Sequence, residues 1–167
     1  MTRRAFSLVE LILVVAILGI LAAIVVPQFT TQSAAARESA AKDVLRTMRS
    51  QIELYKIQHD GTPPGYVGTN QALAAVLHLQ FTGTTKLNGE ASSSTVPAGD
   101  YKYGPYIKKL PENPYNGLTN IAYVALATDF STAADGTSSG WLYKKETAEF
   151  RLNWAGADGE GVNYFDY

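Results

Sequence analysis

The sequence predicts an α+β protein: a long N-terminal α-helix, with a membrane-spanning half and an amphipathic half, packed on a small antiparallel β-sheet. Three observations predict it. An apolar run opens the chain and holds no polar side chain from residue 11 to residue 26. Beyond it, apolar residues recur at helical spacing over residues 41–55. Near the other end, two short stretches alternate apolar and polar residues across a four-residue turn.

The composition sets limits on function. Of 167 residues, 46% are hydrophobic and 17% are charged, against about 25% charged in an average soluble protein. The shortfall is concentrated in the apolar run. A formal net charge of −1 gives no global basic field for nucleic acid and no acidic excess of the disordered kind. The absence of cysteine excludes disulfide frameworks, thiolate zinc sites, thiol nucleophiles and cysteine acylation.

The first element reads MTRRAFSLVELILVVAILGILAAIVVP. Arg3 and Arg4 precede an apolar stretch from Phe6 to Val26 that only Ser7 and Glu10 interrupt. As helix, at about 1.5 Å per residue, it measures roughly 30 Å, the hydrocarbon thickness of a bilayer. A removable secretory signal has a shorter apolar core of about 7–15 residues, followed closely by a small-residue cleavage site. Here the small residues at 34–36 lie well past Pro27. A single-pass anchor with Arg3 and Arg4 in the cytoplasm satisfies the positive-inside rule better. Glu10 has two readings. A carboxylate within a spanning helix costs about 2.5–3.5 kcal/mol and usually has a partner. Near the helix start it also reaches the headgroups, where the helix dipole favours an anion. A cut between Ala5 and Phe6 would free an ammonium at Phe6 able to neutralise Glu10, within one chain or between neighbouring subunits.

The stretch RAFSLVELILVVAILGILAAIVVP resembles the N-terminal class III signal of type IV pilins and type II secretion pseudopilins. The resemblance implies that a prepilin peptidase cuts between Ala5 and Phe6 and that the Phe6 amine is then N-methylated. It implies that Glu10 is the fifth mature residue and that Pro27 interrupts the helix. One departure is Ala5, where the family usually has Gly before the cut. The implied plan is a leader over 1–5, a hydrophobic membrane and polymerisation helix over 6–27, an amphipathic helix over 28–60 and a globular head over 61–167. Glu10, Gly19 and Pro27 are the implied assembly residues, with local melting between Gly19 and Pro27 inside the filament. Gly19 and Ala23 are also spaced for close helix approach, a spacing that chance supplies readily in a segment rich in Ala and Gly.

After Pro27, Ala41, Leu45, Met48, Ile52 and Tyr55 recur at steps of four, three, four and three, one face of a helix. The stripe is too short for sustained heptads, which favours the chain's own core over a coiled-coil partner. Asp60 and Gly61, followed by Pro63 and Pro64, end the element. Pro27 lacks a backbone donor and is expected to kink or loosen the helix. In the head, residues 71–79 (QALAAVLHL) suit a short helix and residues 83–99 a Gly/Ser/Thr-rich loop. Residues 120–128 (NIAYVALAT) suit a buried strand. Residues 141–144 and 149–153 form a hairpin through a turn at 145–148, with Trp141, Tyr143, Phe150 and Leu152 facing one way.

Two further segments, QIELYKIQHDGTPP and GPYIKKLPENPYNG, resemble the major pseudopilins, with Pro111, Pro114 and Tyr115 carrying the second likeness. The implied role is a structural subunit of the type II secretion pseudopilus. The implied partners are identical copies, the prepilin peptidase, the inner-membrane assembly platform, minor pseudopilins and the inner membrane itself, with no nucleic acid. Two alternatives stand beside it: a type IV pilin of a surface filament, and a monomeric membrane-anchored domain. The two histidines, His59 and His78, match no catalytic or metal motif, and His59 at a helix end reads as a surface or capping residue. No enzyme is expected. The tail GADGEGVNYFDY gathers Asp158, Glu160, Asn163 and Asp166 in a glycine-bearing loop. Calcium needs such oxygens, and the resemblance implies it in this loop, making Asp158 and Glu160 candidate ligands and calcium the candidate cofactor. The spacing is not the family's acidic loop residue for residue, and a solvated turn is the plainer reading.

Overall fold

The computed structural model describes the backbone of residues 7–167 and, except over residues 24–32, their side chains. The chain divides into two compact units, Met1–Arg37 and Glu38–Tyr167. Helix α1 runs Leu8–Gln58. Its backbone stays helical through Pro27, so the missing donor of that proline does not end the element.

Within the second unit, the five stripe residues Ala41, Leu45, Met48, Ile52 and Tyr55 are all buried. They are the wall against which the head packs, which settles the choice between own core and coiled coil. The helix ends as the sequence requires. Asp60 adopts φ 52° and Gly61 φ 83°, and the Gly61 N–H donates to the Lys56 carbonyl at 2.8 Å, a left-handed cap that satisfies a terminal carbonyl.

Strands β1 (Tyr66–Val67) and β2 (Asn70–Gln71) then form a short antiparallel pair, followed by helix α2 (Ala74–Thr82). The helix expected over 71–79 begins later because Asn70 and Gln71 are taken by the pair with Tyr66 and Val67. The segment 83–99 is not all loop: β3 (Thr84–Thr85) and β4 (Ala91–Ser92) pair antiparallel within it.

Strand β5 (Ile121–Tyr123), helix α3 (Phe130–Ala133), strand β6 (Trp141–Lys144) and strand β7 (Glu149–Leu152) complete the head, with a 3-10 turn at Tyr164–Asp166. The sheet order is β5-β6-β7. The hairpin has the expected register, Trp141 opposite Leu152 and Tyr143 opposite Phe150. The sheet is mixed rather than purely antiparallel, because β5 pairs with β6 in parallel. The long connection from 124 to 140, carrying α3, supplies the crossover that parallel neighbours need. The apolar run 120–128 is strand only to Tyr123; the Thr128 N–H bonds back to the Ala125 carbonyl and turns the chain.

Trp141, Tyr143, Phe150 and Leu152 join Ala41, Leu45, Met48 and Ile52 of α1, with Leu77 and Phe81, in one core. Polar tips are satisfied where they enter it: Trp141 Nε1 donates to the Pro111 carbonyl and Tyr143 Oη to the Pro64 carbonyl, both at 2.9 Å. The opposite sheet face seats Leu142 against Val124 and Ala134.

Candidate functional site: the exposed apolar helix and the head loop

In the first unit, every side chain described from Ser7 to Ala23 is exposed, although nearly all are apolar. Leu8 is 73% and Ile20 64% exposed. Soluble monomers rarely leave a contiguous apolar surface of this kind uncovered. Glu10 stands in the first turn of α1, where the helix dipole favours an anion. Among the described residues no ion pair engages it. Gly19 has nothing within 4 Å of the place where a Cβ would stand, so the backbone there is open to close approach. Ala5 and Phe6 lie outside the described residues, as does the side chain of Pro27. Among the described residues no helix is long and apolar enough to cross a membrane. The span expected over residues 6–26 begins and ends on residues whose side chains are not described.

The head carries a second polar constellation. Arg49 donates through Nη2 to the Phe150 carbonyl at 3.1 Å and also to the Tyr167 carbonyl. Lys42 Nζ lies 4.3 Å from the centre of the Tyr167 ring and pairs with Glu38 at 2.6 Å. Tyr167 Oη donates to Asp158 Oδ2 at 2.7 Å. Burial, and then this bond to a carboxylate, push the Tyr167 hydroxyl well above the usual tyrosine range. The same hydroxyl, first among several donors, holds Asp158 below the usual carboxylate range. Sequence reasoning missed Lys42, Arg49 and Tyr167. Lys42 and Arg49 stand two helical turns apart beside the buried stripe, which was a signal that they flank whatever covers it.

Asp158 and Glu160 are the residues expected to hold calcium. The Asp158 carboxylate is committed to donors of its own loop, and the Glu160 side chain is exposed. Among the described residues no group of three His, Cys, Asp or Glu side chains is placed to hold a metal ion.

His59 is not a surface residue: it is 1% exposed. Its Nδ1 meets the Tyr55 carbonyl at 2.8 Å and its Nε2 the Thr85 hydroxyl at 3.0 Å. A carbonyl only accepts, so Nδ1 carries the proton and Nε2 accepts from Thr85. The cause is the left-handed cap at Asp60, which turns the chain back and leaves His59 as the last residue beneath the head. His78 is exposed on α2.

Comparison with known proteins agrees with the exposed helix. Residues 1–26 match the family model of the prokaryotic N-terminal methylation motif. The type II secretion system core protein G of Pseudomonas aeruginosa is 31% identical over 143 residues, covering 83% of this chain and 88% of the relative. The protein of the same name from Escherichia coli K12 is 27% identical over 153 residues, 91% of each chain. That of Vibrio cholerae is 29% identical over 143 residues, 83% of this chain and 85% of the relative. No solved structure matches the chain. A methylation motif on an uncovered apolar helix, joined to a head that aligns along most of its length, makes this chain a member of the type II secretion system core protein G family, the major pseudopilins, and a structural protein rather than an enzyme.

Proposed function

We propose that the chain builds the pseudopilus of type II protein secretion by packing its N-terminal helix against the helices of identical copies. The observation that carries this reading is the row of exposed apolar side chains from Leu8 to Leu21, with Glu10 as its one charge. Each large apolar side chain left in water forgoes about 1.5–3 kcal/mol, so the row needs a cover. Lipid is one cover and a bundle of like helices is the other. The helix therefore leaves the bilayer only into its own kind. The name shared by the curated relatives favours a secretion pseudopilus over a surface pilus.

In this reading the prepilin peptidase cuts between Ala5 and Phe6 and the Phe6 amine is methylated. The Glu10 carboxylate, unpaired among the described residues, neutralises that amine, its own or a neighbour's, at low dielectric where the pair is strong. Gly19 gives neighbouring helices room, and the missing donor of Pro27 makes local melting there cheap in the filament. Before assembly the subunit crosses the inner membrane once, with Arg3 and Arg4 cytoplasmic and the head beyond the membrane. It then meets the assembly platform and minor pseudopilins.

Exchange of residues 6–26 for an unrelated spanning helix of equal length tests this. The expected result is a membrane-bound chain that no longer supports secretion. Full secretion by the exchanged chain would return the protein to the class of monomeric anchored domains.

A further inference from the structure

We propose that the loop of residues 158–167 is closed by Tyr167 acting on Asp158, and that calcium takes no part in holding it. Asp158 Oδ1 accepts the backbone N–H groups of Glu160 and Val162, each at 2.9 Å, and Oδ2 accepts the Tyr167 hydroxyl at 2.7 Å. A carboxylate has about four acceptor sites, so three donors leave one. Calcium asks for about 6–8 oxygens at about 2.3–2.6 Å. The remaining acids of the loop do not gather round Asp158 to supply them: among the described residues no three His, Cys, Asp or Glu side chains are placed to hold a metal ion, and Asp166 Oδ2 accepts the Asn163 amide at 3.1 Å.

The positive charge that a metal would bring comes from α1 instead. Lys42 lies over the Tyr167 ring and Arg49 bonds the Tyr167 and Phe150 carbonyls. Glu38 fixes Lys42 from one turn away. The chain of contacts Asp158, Tyr167, Lys42, Glu38 thus ties the loop to the same helix that bears the core stripe. The depressed Asp158 carboxylate, held chiefly by the Tyr167 hydroxyl and in smaller part by Lys42, agrees with a charge already compensated. A head closed in this way keeps its fold where calcium is scarce.

The test uses the full chain in detergent, with thermal midpoints read in millimolar calcium chloride and in EGTA, and calcium chloride titrated by calorimetry. The expected result is equal midpoints within about 1 °C, no saturable heat, and a Tyr167→Phe midpoint lower by about 3 °C in both buffers. A wild-type midpoint several degrees higher in calcium overturns the proposal, and so does saturable binding. A Tyr167→Phe midpoint equal to wild type, or one restored by calcium, also overturns it. If Tyr167→Phe does not fold, the wild-type titration decides alone. None of these readouts depends on filament assembly, so failure here leaves the secretion role standing.

Discussion

The His59 imidazole lies flat on the Tyr55 ring, centroids 3.7 Å apart and planes 4° from parallel. Tyr55 stands in the last turn of α1 and His59 is the first residue past it, and the Tyr106 ring leans on Tyr55 at 5.2 Å. The helix therefore ends in an aromatic stack that Thr85 of β3 and Tyr106 close. With Nδ1 donating to the Tyr55 carbonyl, the neutral imidazole accepts the Thr85 hydroxyl at Nε2, and protonation would turn that hydroxyl round to accept instead.

Burial holds the His59 pKa below its ordinary 6.5. The unfolded chain therefore takes up this proton first as pH falls, and stability drops from about pH 6.5 downward until the folded value is passed. Urea unfolding of the full chain in detergent between pH 7 and pH 5 should show that fall. His59→Phe should flatten it while losing about 1–3 kcal/mol at pH 7 through the orphaned Tyr55 and Thr85 oxygens.

Ile52 and Ile57 sit on one helix with opposite fates, the first buried in the core and the second 78% exposed. Ile52→Ala should cost about 2–5 kcal/mol. Ile57→Ala should stay within about 0.5 kcal/mol of wild type. Denaturant midpoints of the two variants check both figures.

Asn153 is fully buried and ties the end of β7 to the connection at 135–139. Its Nδ2 donates to Asp135 Oδ1 and the Ser139 carbonyl, each at 2.9 Å, and its Oδ1 accepts the Gly136 N–H at 2.9 Å. Asn153→Ala should cost about 2–3 kcal/mol by stranding those groups. Asn163→Ala, at an exposed position, should change the denaturant midpoint little.

Glu10→Ala should insert into the membrane as well as wild type, because it removes a charge whose insertion costs about 2.5–3.5 kcal/mol. On the proposed pairing of this acid with the Phe6 amine, it should nevertheless fail to assemble. Membrane fractionation and chemical cross-linking of copies read the two effects separately. Normal cross-linked ladders from this variant would remove the charge pairing from the assembly step.

The parts legible in the sequence are those governed by local period. The stripe from Ala41 to Tyr55 and the hairpin of Trp141, Tyr143, Phe150 and Leu152 lie where 3.6- and 2-residue spacing put them. The parallel placement of Ile121–Tyr123 did not show, because strand direction is set by a distant crossover. The pairs at Thr84–Thr85 and Ala91–Ser92 were hidden by their length, two residues each. Asn153 and His59 were hidden for another reason: the groups of Asp135, Gly136 and Ser139 that meet the one, and the Thr85 hydroxyl that meets the other, come near only in the folded chain. The Tyr167 contact spans 118 residues to Arg49, beyond any local pattern. Glu10 and the apolar row were plain from residue type alone, and every side chain described from Ser7 to Ala23 is exposed.

The first residue of the mature protein tests the central claim most directly. Intact mass and N-terminal fragmentation of native material from membranes should give a chain starting at Phe6, with one methyl group on its amine. A chain that retains Met1 to Ala5 would leave Glu10 without its amine and would contradict assembly by this helix.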